Sequence, residues 1–202
     1  DRDGNPNVTA KVTSNVLMLG RWMAADLYLR DLGDLVNDLS MEDCNPSLRA
    51  VVGNVKEPYR HLLHELRQRL RDTQQYTQDQ LKGNHDNHNK GLYDLASLIT
   101  PLQLCYQSLL DCNMAVVANG KLLDTIRRAH SFGLTLCPLD IRQESTRHAQ
   151  VFAELCDYLE LGNYLEWDEE KRVAFLLKEL QSKRPLLPQE WEPSPAVQEV
   201  LD

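Results

Sequence analysis

Apolar residues recur at helical spacing almost without interruption from Thr9 to Leu39. Val12, Val16, Leu19, Met23, Leu27, Leu32, Leu35 and Leu39 follow one another at intervals of three to five residues, the signature of one face of a long helix. Gly20 and Gly33 fall inside the run and weaken it by about 1 kcal/mol each relative to Ala. A chain that opens on so long a helix, with an apolar stripe expected to be buried along its length, has to be built mainly by packing helices.

The rest of the chain repeats that signal. Asn45-Pro46-Ser47 starts a short helix that Gly53-Asn54 stops. Glu57-Pro58 opens a second long helix with Leu62, Leu63, Leu66, Leu70 and Tyr76 on its core side, and Arg67, Arg69 and Arg71 on a solvated face. Leu92 to Val117 continues as helix, with Pro101 read as a helix start and Asn119-Gly120 as the stop. Lys121 to Phe132 is a further helix that Gly133 caps. Helices follow over Thr146–Leu159 and after the Trp167-Asp168-Glu169-Glu170 start, and Ser194-Pro195 begins a last one.

One stretch departs from this pattern. Leu134 to Ile141 is a short apolar run that ends in Asp140, Arg142, Gln143, Glu144, Ser145, Thr146, Arg147 and His148. Strand, polar cluster and helix start in succession is how α/β enzymes place anion-binding residues. Arg142 is the leading candidate, because a planar guanidinium can hold carboxylate or phosphate with two parallel bonds. The loop Asp1-Arg2-Asp3-Gly4-Asn5-Pro6 can join it. Two readings stand open on residue types alone: an anion site, or a structural Arg142–Glu144 ion pair at a strand end.

Composition narrows the possibilities. A net charge of -8 with a pI near 5.3 argues against a general nucleic-acid binder, which needs a basic footprint. No apolar run approaches the roughly 20 residues of a membrane span. The five cysteines, Cys44, Cys105, Cys112, Cys137 and Cys156, form no CxxC pair, and four of them lie among apolar neighbours. They read as buried free thiols of a cytoplasmic protein. His85, Asp86 and His88 sit in an Asn- and Gly-rich loop and read as a connector rather than a metal site, and His61 and His64 lack a partner pair. The chain starts without Met in a turn and stops as a helix begins, so residues 1–202 read as a single partial domain, an interior fragment of a longer chain.

Particular motifs carry a resemblance over essentially the whole chain. D-R-D-G-N-P-N-V-T (Asp1 to Thr9), E-P-Y-R (Glu57 to Arg60), L-C-Y-Q-S-L (Leu104 to Leu109), A-N-G-K-L-L-D (Ala118 to Asp124), L-D-I-R-Q-E-S-T-R-H (Leu139 to His148) and S-K-R-P-L-L-P (Ser182 to Pro188) resemble the phosphoenolpyruvate carboxylases in order and spacing. Pro138 departs from the family, which usually has a basic residue there.

The resemblance implies a fold that is mostly α with one or two strands, as a fragment of an α-rich β/α barrel of eight strands. It implies a homotetrameric lyase that carboxylates phosphoenolpyruvate with bicarbonate, giving oxaloacetate for the tricarboxylic acid cycle and releasing phosphate. It also implies Mg²⁺ or Mn²⁺ as cofactor, with no nucleic acid or membrane as partner. Arg142 matches a family arginine that contacts the substrate phosphate. Asp1, Arg2, Asp3 and Asn5 match the mouth of the active site, and Glu179 and Arg184 match subunit-contact positions. The family's catalytic His, metal carboxylates, catalytic Lys and mobile Gly-rich loop have no counterpart in these residues. The isolated chain is therefore expected to be inactive, with no catalytic residue and no metal ligand of its own. The rival reading is a non-catalytic helical interaction module whose strand-end charges are structural.

Overall fold

The computed structural model describes residues 5, 7–84, 91–92, 94–183 and 185–202, and every regular element among them is helical. Helix α1 spans Ala10–Asp38, α2 Pro46–Val52, α3 Pro58–Leu81 and α4 Ala96–Asp111. A short α5, Ala115–Val117, runs through a π-helical turn, Ala118–Leu122, into α6, Leu123–Phe132. Helices α7 (Ser145–Tyr158), α8 (Glu169–Gln181) and α9 (Pro195–Leu201) complete the chain. None of the helices described is long and apolar enough to cross a membrane.

Local chemistry places most helix ends where the sequence puts them. Asn45 accepts a bond from the Leu48 N–H at 2.8 Å and starts α2. Asp168 accepts from the Lys171 N–H at 2.8 Å and starts α8, and Ser194 accepts from the Val197 N–H and starts α9. Each of these side chains occupies a helix N–H that would otherwise have no partner. Pro58 is the first residue of α3, and Gly133 closes α6 at φ 58°, in the left-handed region.

Two ends differ. Pro101 lies inside α4 rather than at its start. That helix stops at Asp111, because Asn113 turns left-handed at φ 60° and the Met114 N–H bonds back to the Leu109 carbonyl. Asn tolerates that conformation better than most residues with a side chain. Asn119-Gly120 does not end a helix: it sits in the π-helical turn, where Gly120 interrupts the helical backbone.

The chain divides into two units, residues 14–139 and residues 1–13 with 140–202. In the first, Tyr28, Leu32 and Leu35 of α1 pack with Leu63, Leu66 and Leu70 of α3, Leu98, Leu102, Cys105 and Leu109 of α4, and Leu122 of the π turn. At about 25 cal/mol per Å² of apolar surface removed from water, this cluster is the main source of that unit's stability. In the second unit Val151 and Leu155 of α7 meet Trp191 and Val197. Beside them lies an aromatic group in which Phe152 stacks on Tyr164 at 5.3 Å and Phe175 meets Trp167 edge-on at 5.4 Å.

The α1 stripe is buried only in part. Val12, Val16, Leu19, Met23 and Leu27 are exposed, and burial on this helix falls on Ala24, Ala25, Tyr28, Leu32, Leu35 and Val36. Of the five thiols only Cys105 and Cys156 are buried, and Cys137 is exposed. Arg67 also departs from expectation: it is half-buried with Nε unbonded, not on an open face.

Candidate anion-binding site

Leu134 to Glu144 was the expected strand and polar cluster, and its backbone is irregular, with no strand among the described residues. A strand needs a partner to take up its N–H and C=O groups, and no strand partner stands beside it among the described residues. Instead the Cys137 N–H bonds to the Thr135 carbonyl at 2.9 Å, and Leu136 takes φ 68°. Leu134 and Leu136 still pack against the main core, whereas Leu139, Asp140, Ile141 and Arg142 are exposed.

Arg142 stands on this exposed stretch. Its Nε lies 3.3 Å from Asp140 Oδ2, with the two side chains 65% and 79% exposed. So open an ion pair contributes about 0–1 kcal/mol. The neighbouring candidates separate from it. Gln143 accepts the Glu144 N–H at 3.0 Å. Arg147 Nη2 is committed to Glu199 Oε2 at 2.8 Å, joining α7 to α9, so it has a structural contact within its own unit. His148 is exposed. The local order Glu144–Ser145 does begin a helix, α7, as expected, although Glu144 makes no side-chain cap.

The other predicted positions are more scattered. Asn5 accepts the Asn7 N–H at 3.1 Å and is exposed, while Asp1, Arg2 and Asp3 lie outside the described residues. Glu179 is half-buried on α8, and Arg184 lies outside the described residues, as does the segment with His85, Asp86 and His88. His61 and His64 are both exposed, and His61 pairs with Glu65 at 3.4 Å. No group of three or more His, Cys, Asp and Glu among the described residues could hold a metal ion. These described residues do not fit a divalent cation.

A model of the family "Phosphoenolpyruvate carboxylase" matches residues 1–202. The chain belongs to the phosphoenolpyruvate carboxylase family. It is 57% identical over 201 residues to a phosphoenolpyruvate carboxylase of Ectopseudomonas mendocina and 54% identical over 201 residues to one of Marinobacter nauticus. A third, from Proteus mirabilis, is 52% identical over 205 residues. In each case the match takes in 100% of this chain and 23% of the relative, so the chain spans about a quarter of the length of these curated relatives.

Seen in the structure, several motifs shared with the carboxylases are scaffold. In L-C-Y-Q-S-L, Cys105, Ser108 and Leu109 are fully buried. In E-P-Y-R, Tyr59 is buried and Arg60 Nε donates to the Val36 carbonyl at 2.7 Å. A-N-G-K-L-L-D forms the π turn and the start of α6. The contacts that Gly20 and Tyr28 of α1 make with Thr135 and Gly133 are not announced by the sequence. The one signal available was a glycine inside a strong helical pattern, which often marks close packing.

Proposed function

We propose that this chain is part of an active phosphoenolpyruvate carboxylase and supplies its substrate-phosphate arginine. In that reaction bicarbonate oxygen attacks the phosphorus of phosphoenolpyruvate, breaking the bond to the enol oxygen and giving carboxyphosphate and the pyruvate enolate. Carboxyphosphate then releases carbon dioxide and phosphate, and the enolate carbon captures the carbon dioxide to form oxaloacetate. Charge spreads over the equatorial phosphoryl oxygens during transfer, and fixed cations stabilise it. Arg142 fills that role: its side chain is largely exposed, and its planar guanidinium can hold a phosphate with two parallel bonds.

The observation that carries the reading is the family match over the whole chain, with Arg142 in the L-D-I-R-Q motif. The wider proposal follows from family membership. The full-length protein is a cytoplasmic homotetramer whose barrel takes in the Leu134–Ile141 segment. It uses Mg²⁺ or Mn²⁺ held by carboxylates outside this chain, and Glu179 lies towards a subunit contact.

The test is Arg142→Lys in the full-length enzyme. Lysine keeps the charge and loses the fork, so phosphoenolpyruvate turnover falls at least tenfold. Near-normal kinetics for phosphoenolpyruvate in this variant overturn the assignment.

A further inference from the structure

We infer that Tyr28 and Gly20 of α1 are positioning residues for the segment that delivers Arg142, an inference that rests on Arg142 binding the substrate phosphate. Tyr28 is buried, and its hydroxyl donates to the Gly133 carbonyl at 2.8 Å. Gly20 lies two helical turns earlier on the same side of α1. A Cβ built on it would stand 2.7 Å from the Thr135 carbonyl oxygen, closer than any side chain permits. Alternate carbonyls of one short segment are therefore set against one helix, the first by a hydrogen bond and the second by an approach that only glycine allows.

The intervening and following side chains complete the grip. Leu134 and Leu136 pack against the main core. The Thr135 carbonyl also receives the Cys137 N–H, which closes a tight turn. Pro138 then fixes its own φ and holds Cys137 away from the helical region. The direction given to the backbone at Thr135 is thus carried through Pro138 by stiff residues. Arg142 follows Cys137 by five residues, at most about 18 Å of extended chain. Tyr28 and Gly20 touch no reacting atom on this account; they act through the segment's root.

The experiment uses the full-length enzyme with Tyr28→Phe, which removes the hydroxyl and keeps the ring, and Gly20→Ala beside it. Kinetics for each substrate are measured together with amide hydrogen exchange over residues 133–142. Tyr28→Phe is expected to raise the KM for phosphoenolpyruvate about two- to tenfold, the effect of one neutral hydrogen bond. The KM for bicarbonate and kcat stay within twofold, and exchange over 133–137 quickens. A lowered melting temperature with the phosphoenolpyruvate KM unchanged marks a purely structural contact and overturns the inference, even if Gly20→Ala fails to fold. Arg142→Lys in parallel separates the two ideas. If it loses activity while Tyr28→Phe leaves the KM unmoved, only the positioning role falls; if it is normal, the phosphate reading falls first.

Discussion

The Arg147 guanidinium reaches Glu199, 52 residues further along the chain, with Nη2 2.8 Å from Oε2. This contact separates two arginines that the sequence places five positions apart in one polar cluster. Arg147 fastens α7 to α9, whereas Arg142 pairs with Asp140 on the exposed stretch before α7. Arg147→Gln is expected to cost about 0.5–1 kcal/mol, the discounted value of a half-exposed pair. Urea unfolding of the full-length enzyme measures that cost, and phosphoenolpyruvate kinetics stay close to those of the parent.

Ser108 ties three helices together from a fully buried position. Its Oγ accepts the Asn45 backbone N–H at 2.9 Å and pairs with the Tyr59 hydroxyl at 2.8 Å, while Asn45 Nδ2 donates to Asp111 at 2.7 Å. Ser108→Ala strands a buried N–H and a buried hydroxyl, each costly to leave unpaired. A loss of about 2–4 kcal/mol in unfolding free energy is expected. Ser108→Ala within 0.5 kcal/mol of the parent would show the network to be unimportant.

Tyr59 couples the same network to pH. Burial pushes its hydroxyl from about 10 up to about 12, outweighing the bond from Ser108, which acts the other way. The folded state therefore holds the proton longer than the unfolded chain does. Stability is fully present below about pH 10 and falls between about pH 10 and pH 12, by up to about 1.4 kcal/mol per pH unit. Cys105, also pushed up to about 12 by burial, adds a second decline that begins nearer pH 9. Tyr59→Phe should make the slope shallower without abolishing it in unfolding measurements from pH 8 to 11, because burial also raises Tyr28 and Cys156.

Gly91 lies against the backbone of α3. An added Cβ would stand 2.6 Å from the Thr73 nitrogen, beside a Thr73 hydroxyl that accepts the Leu92 N–H at 2.8 Å. Backbone cannot swing aside as a side-chain tip can. Gly91→Ala is expected to destabilise by about 1–3 kcal/mol, the usual cost of overpacking, and thermal unfolding reads it directly. Gly53→Ala is a poor control because its φ of 73° is strained for any side chain.

Signals confined to a few neighbouring residues are legible in the sequence. The caps at Asn45, Asp168 and Ser194, the Pro58 start and the Gly133 stop all fall where their chemistry places them, because each is decided by atoms within one helical turn. The candidate site was less legible. Arg142 could be singled out as a fork-bearing cation, but the separation of Arg147 from it depends on Glu199, and nothing at position 147 announces that partner.

The sequence by itself determined that this protein is built from helices, where most of them begin, and which family it belongs to, because periodicity, caps and motif order are properties of the chain. Tertiary structure alone decided which apolar faces are used. Leu32 and Leu35 are buried while Leu19 and Met23, in the same stripe, are exposed, because burial is set by what packs alongside. It also decided that Leu134–Ile141 is irregular in this chain, since a strand is made by its partner, and that α1 approaches Thr135 closely at Gly20, where the absence of a side chain leaves room for a carbonyl.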